Sequence, residues 1–61
     1  MYKLESTVTG EEIFLTKEQI KEIYGIKERQ FYNWVQAGEV KPSRGTTLIR
    51  KAIKNMKGEW V

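Results

Sequence analysis

Cysteine, histidine and aspartate are absent from this chain, and proline occurs once, at Pro42. Without cysteine there are no disulfides and no zinc–thiolate staples. Without histidine the commonest general base and the commonest metal ligand are missing. The carboxylates are eight glutamates, and the one adjacent pair, Glu11 and Glu12, falls in a strand-like stretch whose successive side chains point to opposite faces. The glycines are isolated turn residues, so no glycine-rich phosphate loop is present. No apolar run approaches the roughly 20 residues needed to span a bilayer, and the N-terminus lacks the apolar core of a secretory signal. These absences lead us to expect no enzyme activity, no metal, no cofactor, no membrane partner and a cytoplasmic location.

What is present is small and basic. Sixty-one residues are expected to form one domain, and Met1 with the compact length suggests a complete small gene product. A chain this short buries only about 60% of its unfolded surface. The aromatics Tyr2, Phe14, Tyr24, Phe31, Tyr32, Trp34 and Trp60 are the main compensation, since each can bury a large area. The net charge of +3 is unevenly spread. Residues 1–25 hold three lysines against five glutamates, whereas residues 26–61 hold eight cations against three glutamates. A one-sided positive field suits a phosphate backbone.

The stretch Leu15 to Gly38 organises the rest. Thr16 is a helix N-cap, and Gln19 three residues later completes a capping box. Ile20 and Ile23 repeat at helical spacing with Tyr24 beside them, which predicts a helix over about Lys17–Tyr24. Gly25 is placed to leave that helix with positive φ, and Ile26 follows as an apolar plug. A second helix is expected over about Glu28–Ala37, with Phe31, Trp34 and Val35 inward and Gly38 as its stop. Two short helices with apolar inner faces joined by a tight turn make a helix-turn-helix. Ahead of them, Tyr2, Leu4, Ser6 and Val8 alternate with polar residues, Thr9-Gly10 signals a turn, and Glu12–Leu15 can return as a second strand. Tyr2, Leu4, Ile13 and Leu15 are its core candidates. This hairpin of residues 1–15 serves either to cap the helices or as a lid or dimer edge.

Through Ile20, Gly25, Ile26, Phe31 and Trp34, the segment Leu15 to Gly45 resembles the small excisionase-like and MerR-like winged helix-turn-helix DNA-binding proteins of phages and mobile elements. Lys21 departs from the pattern, since that family usually has alanine there; its stem must snorkel outward. The resemblance implies double-stranded DNA as partner and roles in transcription regulation or recombination. On the second helix, Arg29, Tyr32, Asn33 and Gln36 lie on the outer face. Arg29 suits guanine, and Asn33 or Gln36 suits adenine. Glu28 on the same face would repel phosphate unless paired. Lys27 sits near the helix N-terminus, which favours phosphate. Residues 39–46 read as a basic loop or as a wing, with Lys41, Ser43, Arg44 and Thr46 toward the DNA backbone.

From Thr47 the apolar residues Leu48, Ile49, Ala52, Ile53 and Met56 form one helical stripe. This predicts a C-terminal helix over 47–57, with Lys51 and Lys54 as further backbone contacts; a strand beginning at Thr46–Ile49 is the lesser alternative. The stripe docks on the other helices or forms a dimer seam. The expected fold is therefore α+β but mostly helical: hairpin, helix-turn-helix at 16–38, loop or wing, C-terminal helix. The expected function is sequence-specific duplex binding, as a homodimer or a cooperative array. The competing class is a protein-interaction module that seizes a recombinase, polymerase or other protein, with Tyr32 and Trp60 as anchors.

Overall fold

The computed structural model describes all residues from Met1 to Val61. The chain opens with β1 (Tyr2–Ser6) and β2 (Glu12–Leu15), paired antiparallel with Leu4 opposite Ile13 and Tyr2 opposite Leu15. Helix α1 spans Lys17–Tyr24 and α2 spans Glu28–Ala37. The capping box forms: Thr16 Oγ1 accepts from the Gln19 amide at 3.1 Å, and Gln19 Oε1 accepts from the Thr16 amide at 2.8 Å. Gly25 adopts φ 65°, ψ 35°, the left-handed conformation that ends α1. There the Ile26 amide reaches back to the Lys21 carbonyl at 3.0 Å, so the turn is closed by hydrogen bonds the helix end would otherwise lack.

The C-terminal third corrects the sequence expectation. The fold is α+β but not mostly helical, with 34% helix and 28% strand. No helix forms over 47–57. Thr47–Lys51 is β3, and it pairs antiparallel with β1, placing Ile49 opposite Leu4 and Lys51 opposite Tyr2. The sheet order is β2-β1-β3. A two-stranded hairpin is marginal by itself, and β1 would keep an unpaired edge; the β-branched run Thr46-Thr47 with Ile49 fills it. Beyond it the Ala52 amide bonds the Met1 carbonyl at 3.0 Å, and Ile53 and Val61 exchange backbone hydrogen bonds at 3.1 and 2.8 Å. Asn55 Oδ1 accepts from the amides of Lys57 and Glu59 at 2.9 and 3.0 Å. That local side-chain bonding competes with a helix. Of the supposed stripe only Ile49 and Ala52 are buried, while Met56 is fully exposed.

The core lies between the sheet and the two helices: Leu4, Ile20, Phe31, Trp34, Val40 and Ile49, with Tyr2, Leu15, Ile26 and Val35 packed around it. Phe31 and Trp34 are its largest members. Tyr2 meets Phe31 edge-on at 4.9 Å between ring centroids, and Tyr24 meets Trp34 at 5.2 Å. At about 25 cal/mol per Å² and 150–250 Å² each, these two rings contribute on the order of 4–6 kcal/mol apiece. Ile13 and Ile23, both placed on apolar faces by their spacing, are instead 52% and 64% exposed: Ile13 lies on the edge strand β2, and Ile23 on a helix whose one buried residue is Ile20.

Strand and helix at 47–57 make opposite demands on the same side chains. In urea denaturation Ile49→Ala is expected to lower stability by about 2–5 kcal/mol. Met56→Ala is expected to change it by no more than about 0.5 kcal/mol; a large loss at Met56 would restore a packed helix.

Candidate nucleic-acid interface

Since Phe31 and Trp34 turn inward, the opposite side of α2 is fixed by its 3.6-residue period. Arg29, Asn33 and Gln36 lie along that side, and Tyr32 lies next to them on the flank toward α1; all four are exposed. None of their side chains makes a hydrogen bond or ion pair within the chain. Tyr32 is nevertheless held. Its ring meets Phe31 at 5.6 Å, and the Lys17 ammonium lies 5.7 Å from its centroid. The ring of this half-exposed tyrosine thus rests between Phe31 and the Lys17 ammonium.

Glu28 is the acidic residue that would oppose phosphate on this helix, and α1 neutralises it. Lys17 Nζ lies 2.8 Å and Lys21 Nζ 3.8 Å from Glu28 Oε1. The Lys21 ammonium is therefore directed across to the second helix. The hydrogen bond from Lys17, followed by the charges of Lys17 and Lys21, holds the Glu28 carboxyl below its ordinary range. The same hydrogen bond raises Lys17. Lys17 was not among the sequence candidates. Its partner is eleven residues away across the turn, and no local spacing signals such a pair.

At its N-terminus α2 has Lys27 as N-cap with no side-chain hydrogen bond to the first amides. Those amides and the Lys27 charge present an anion-favouring end. Beyond its C-terminus, the segment expected as loop or wing contains a short 3₁₀ turn, Lys41–Ser43. The Ser43 hydroxyl donates to the Val40 carbonyl and accepts from the Thr47 amide at 3.1 Å, while Thr46 Oγ1 donates to the Ser43 carbonyl at 2.7 Å. Both hydroxyls serve the loop itself. Arg44 stands at φ 53° and Gly45 at φ 85°, and Thr7 of the hairpin turn ties the loop down through the carbonyls of Thr46 and Gly45. The left-handed Arg44 is thus fastened from both sides, with its guanidinium exposed and unpaired. Lys41 Nζ is 3.7 Å from Glu39 Oε1.

The structure brings Arg29, Tyr32, Asn33 and Gln36 together as one row and places Lys27 at its head. Lys41 and Arg44 lie past its far end. Lys51 ends β3 opposite Tyr2, whose ring abuts Phe31, so it lies on the strand that borders α2. Lys54 is separate: its ammonium sits 5.3 Å from the Trp60 ring centroid in the C-terminal turn. The two surface depressions measure about 180 and 220 Å³, below the volume of an ordinary ligand cleft, and neither borders the α2 row. No helix is long and apolar enough to cross a membrane. Comparison of the chain with protein-family models, curated proteins and solved structures returns no match.

The Lys17–Glu28 pair contributes stability above the unfolded carboxylate pKa, and this is lost as pH falls through the depressed value of Glu28. At the other end, the raised lysine contributes below its unfolded pKa, and this is lost as pH rises through its folded value. Lys17→Met is expected to move the Glu28 midpoint, read from its carboxyl carbon resonance, upward toward that of a free glutamate. An unmoved midpoint would show that Lys17 does not hold it.

Proposed function

We propose that this chain binds duplex DNA sequence-specifically, with α2 in the major groove, as a small regulator or excisionase-like accessory factor. The observation that carries the reading is the α2 row: two amides, an arginine and a tyrosine, all exposed and none satisfied internally. Arg29 has the planar fork that matches guanine O6 and N7, and Asn33 or Gln36 can pair with adenine N6 and N7. Tyr32, held by Lys17 and Phe31, meets a phosphate oxygen or a thymine methyl. Lys27, Lys41, Arg44 and Lys51 secure the backbone and set the register. Neutralised by two lysines, Glu28 no longer opposes the approach. The loop over residues 39–46 acts as a short wing whose Ser43 and Thr46 stiffen it from within. A single module offers a small interface, so useful affinity comes from two copies or from adjacent sites.

The test is anisotropy titration of a site selected from a random duplex pool. Affinity should fall steeply as salt rises. Arg29→Ala should lose about 1–3 kcal/mol on the selected site and relax one base position, whereas Lys51→Ala should weaken all sequences alike. Equal affinity of wild type and Arg29→Ala for the selected site would remove the base-reading role. Salt-independent binding would remove DNA as the partner.

A further inference from the structure

The two edges of the sheet are treated differently. On β3, three of the four outward backbone groups of Thr47 and Ile49 are engaged: the Thr47 carbonyl accepts from the Val40 amide at 2.9 Å, the Thr47 amide bonds Ser43 Oγ at 3.1 Å, and the Ile49 amide reaches the Gly38 carbonyl at 3.1 Å. On β2, the Ser6 amide bonds the Glu11 carbonyl at 2.8 Å. With Leu4 opposite Ile13 and Tyr2 opposite Leu15, alternation therefore turns the backbone groups of Glu11, Ile13 and Leu15 toward β1. Those of Glu12 and Phe14 face outward, and nothing in the chain pairs with them. An edge with unpaired N–H and C=O groups is a template for another strand. Beside it stand Ile13, 52% exposed, and the partly exposed Phe14.

We infer that β2 is a self-association edge whose occupant is β2 of a second copy, paired antiparallel with Ile13 opposite Ile13. Charge and hydrogen bonding select this register. With Ile13 on the two-fold axis, Glu12 of each copy lies opposite Phe14 of the other, and both outward amides and both outward carbonyls are paired in each chain. A slip toward the turn sets Glu12 against Glu12, a like-charge pair. A slip the other way sets Glu12 against Thr16, whose amide is already held by Gln19. In the chosen register the acidic residues Glu5 and Glu12 of one copy continue, across Phe14, into Lys3 and Arg50 of the other on the face away from the helices. On the helix side the exposed Ile13 finds its own counterpart at the close spacing of a non-hydrogen-bonded pair. This association goes beyond the DNA reading and is measured without nucleic acid, so either can fail alone.

The chain holds no cysteine, so a single introduced thiol reports on the register. Ile13→Cys places two sulfurs on Cα atoms about 4.5 Å apart, within disulfide range. In a glutathione redox buffer this variant should form a covalent dimer well ahead of Val8→Cys, an exposed control in the hairpin turn. Sedimentation from micromolar to millimolar protein should show a wild-type dimer. Ile13→Lys, at a position the monomer leaves open, should weaken it about 10-fold or more with an unchanged circular dichroism spectrum. A wild type that remains monomeric at millimolar concentration overturns the proposal. So does equal cross-linking of the two cysteine variants, or a Ile13→Lys dimer as tight as wild type.

Discussion

The structure depends on the burial of two rings from one helix. Phe31 and Trp34 occupy the space between sheet and helices, and every other element is placed by what it does around them. Tyr2 from β1 meets Phe31 on edge, Tyr24 from the end of α1 meets Trp34 on edge, and Ile20, Leu4, Val40 and Ile49 close the remaining sides. With only seven buried residues in the chain, no second core exists to take up the loss of either ring. Because both point inward, the rotation of α2 about its own axis is fixed, and with it the direction of Arg29, Asn33 and Gln36. Core packing and the presentation of the outer row are one constraint seen from two sides.

Electrostatics then completes what packing begins. The ordinary arrangement on a short helix is a carboxylate near the N-terminus, where it complements the dipole. Glu28 holds that position and would cancel the positive end if left alone. Lys17 and Lys21 reach across from α1 to offset it. The two helices are thus joined by an ion pair on the solvent side and by Ile20 against Phe31 and Trp34 on the core side. The acidic N-terminal half of the sequence supplies the lysines, so the charge division read along the chain does not map onto a division of surfaces.

What was legible in the sequence was whatever short-range hydrogen bonding decides. Thr16 with Gln19 sets the start of α1, and Gly25 and Gly38 set two helix ends through left-handed turns that few other residues adopt comfortably; all lie within a few residues of the groups they satisfy. The strand Thr47–Lys51 was not legible as the main reading, because its reason is β1, nearly the whole chain away. Leu48, Ile49, Ala52, Ile53 and Met56 fit a helical period, yet a five-residue strand needs only one inward anchor, and Ile49 beside Leu4 provides it. At the outer row, helical periodicity was enough to name Arg29, Tyr32, Asn33 and Gln36 as neighbours. The roles of Ser43 and Thr46 were hidden, because a hydroxyl that caps its own loop and one that awaits a phosphate look alike in sequence. Lys17 was hidden for the same reason as β3: its partners meet it only once the helices cross.

The treatment of the sheet edges gains meaning from where the helices lie. Both helices pack on one face of the sheet, and pairing of two β2 strands about Ile13 extends that sheet without turning it over. In such a pair the two-fold axis would stand perpendicular to the sheet, so both helical layers would sit on the same side and both α2 rows would face the same way. A duplex is approached from one side by a dimer, and half-sites related by a two-fold axis require readers so related. Pairing through the β3 edge would demand that Gly38–Val40 and the Ser43 loop be displaced first, and these hold the segment that carries Lys41 and Arg44. The edge that is covered is therefore the one whose opening would dismantle the loop of residues 39–46, and the edge left free is the one farther from it.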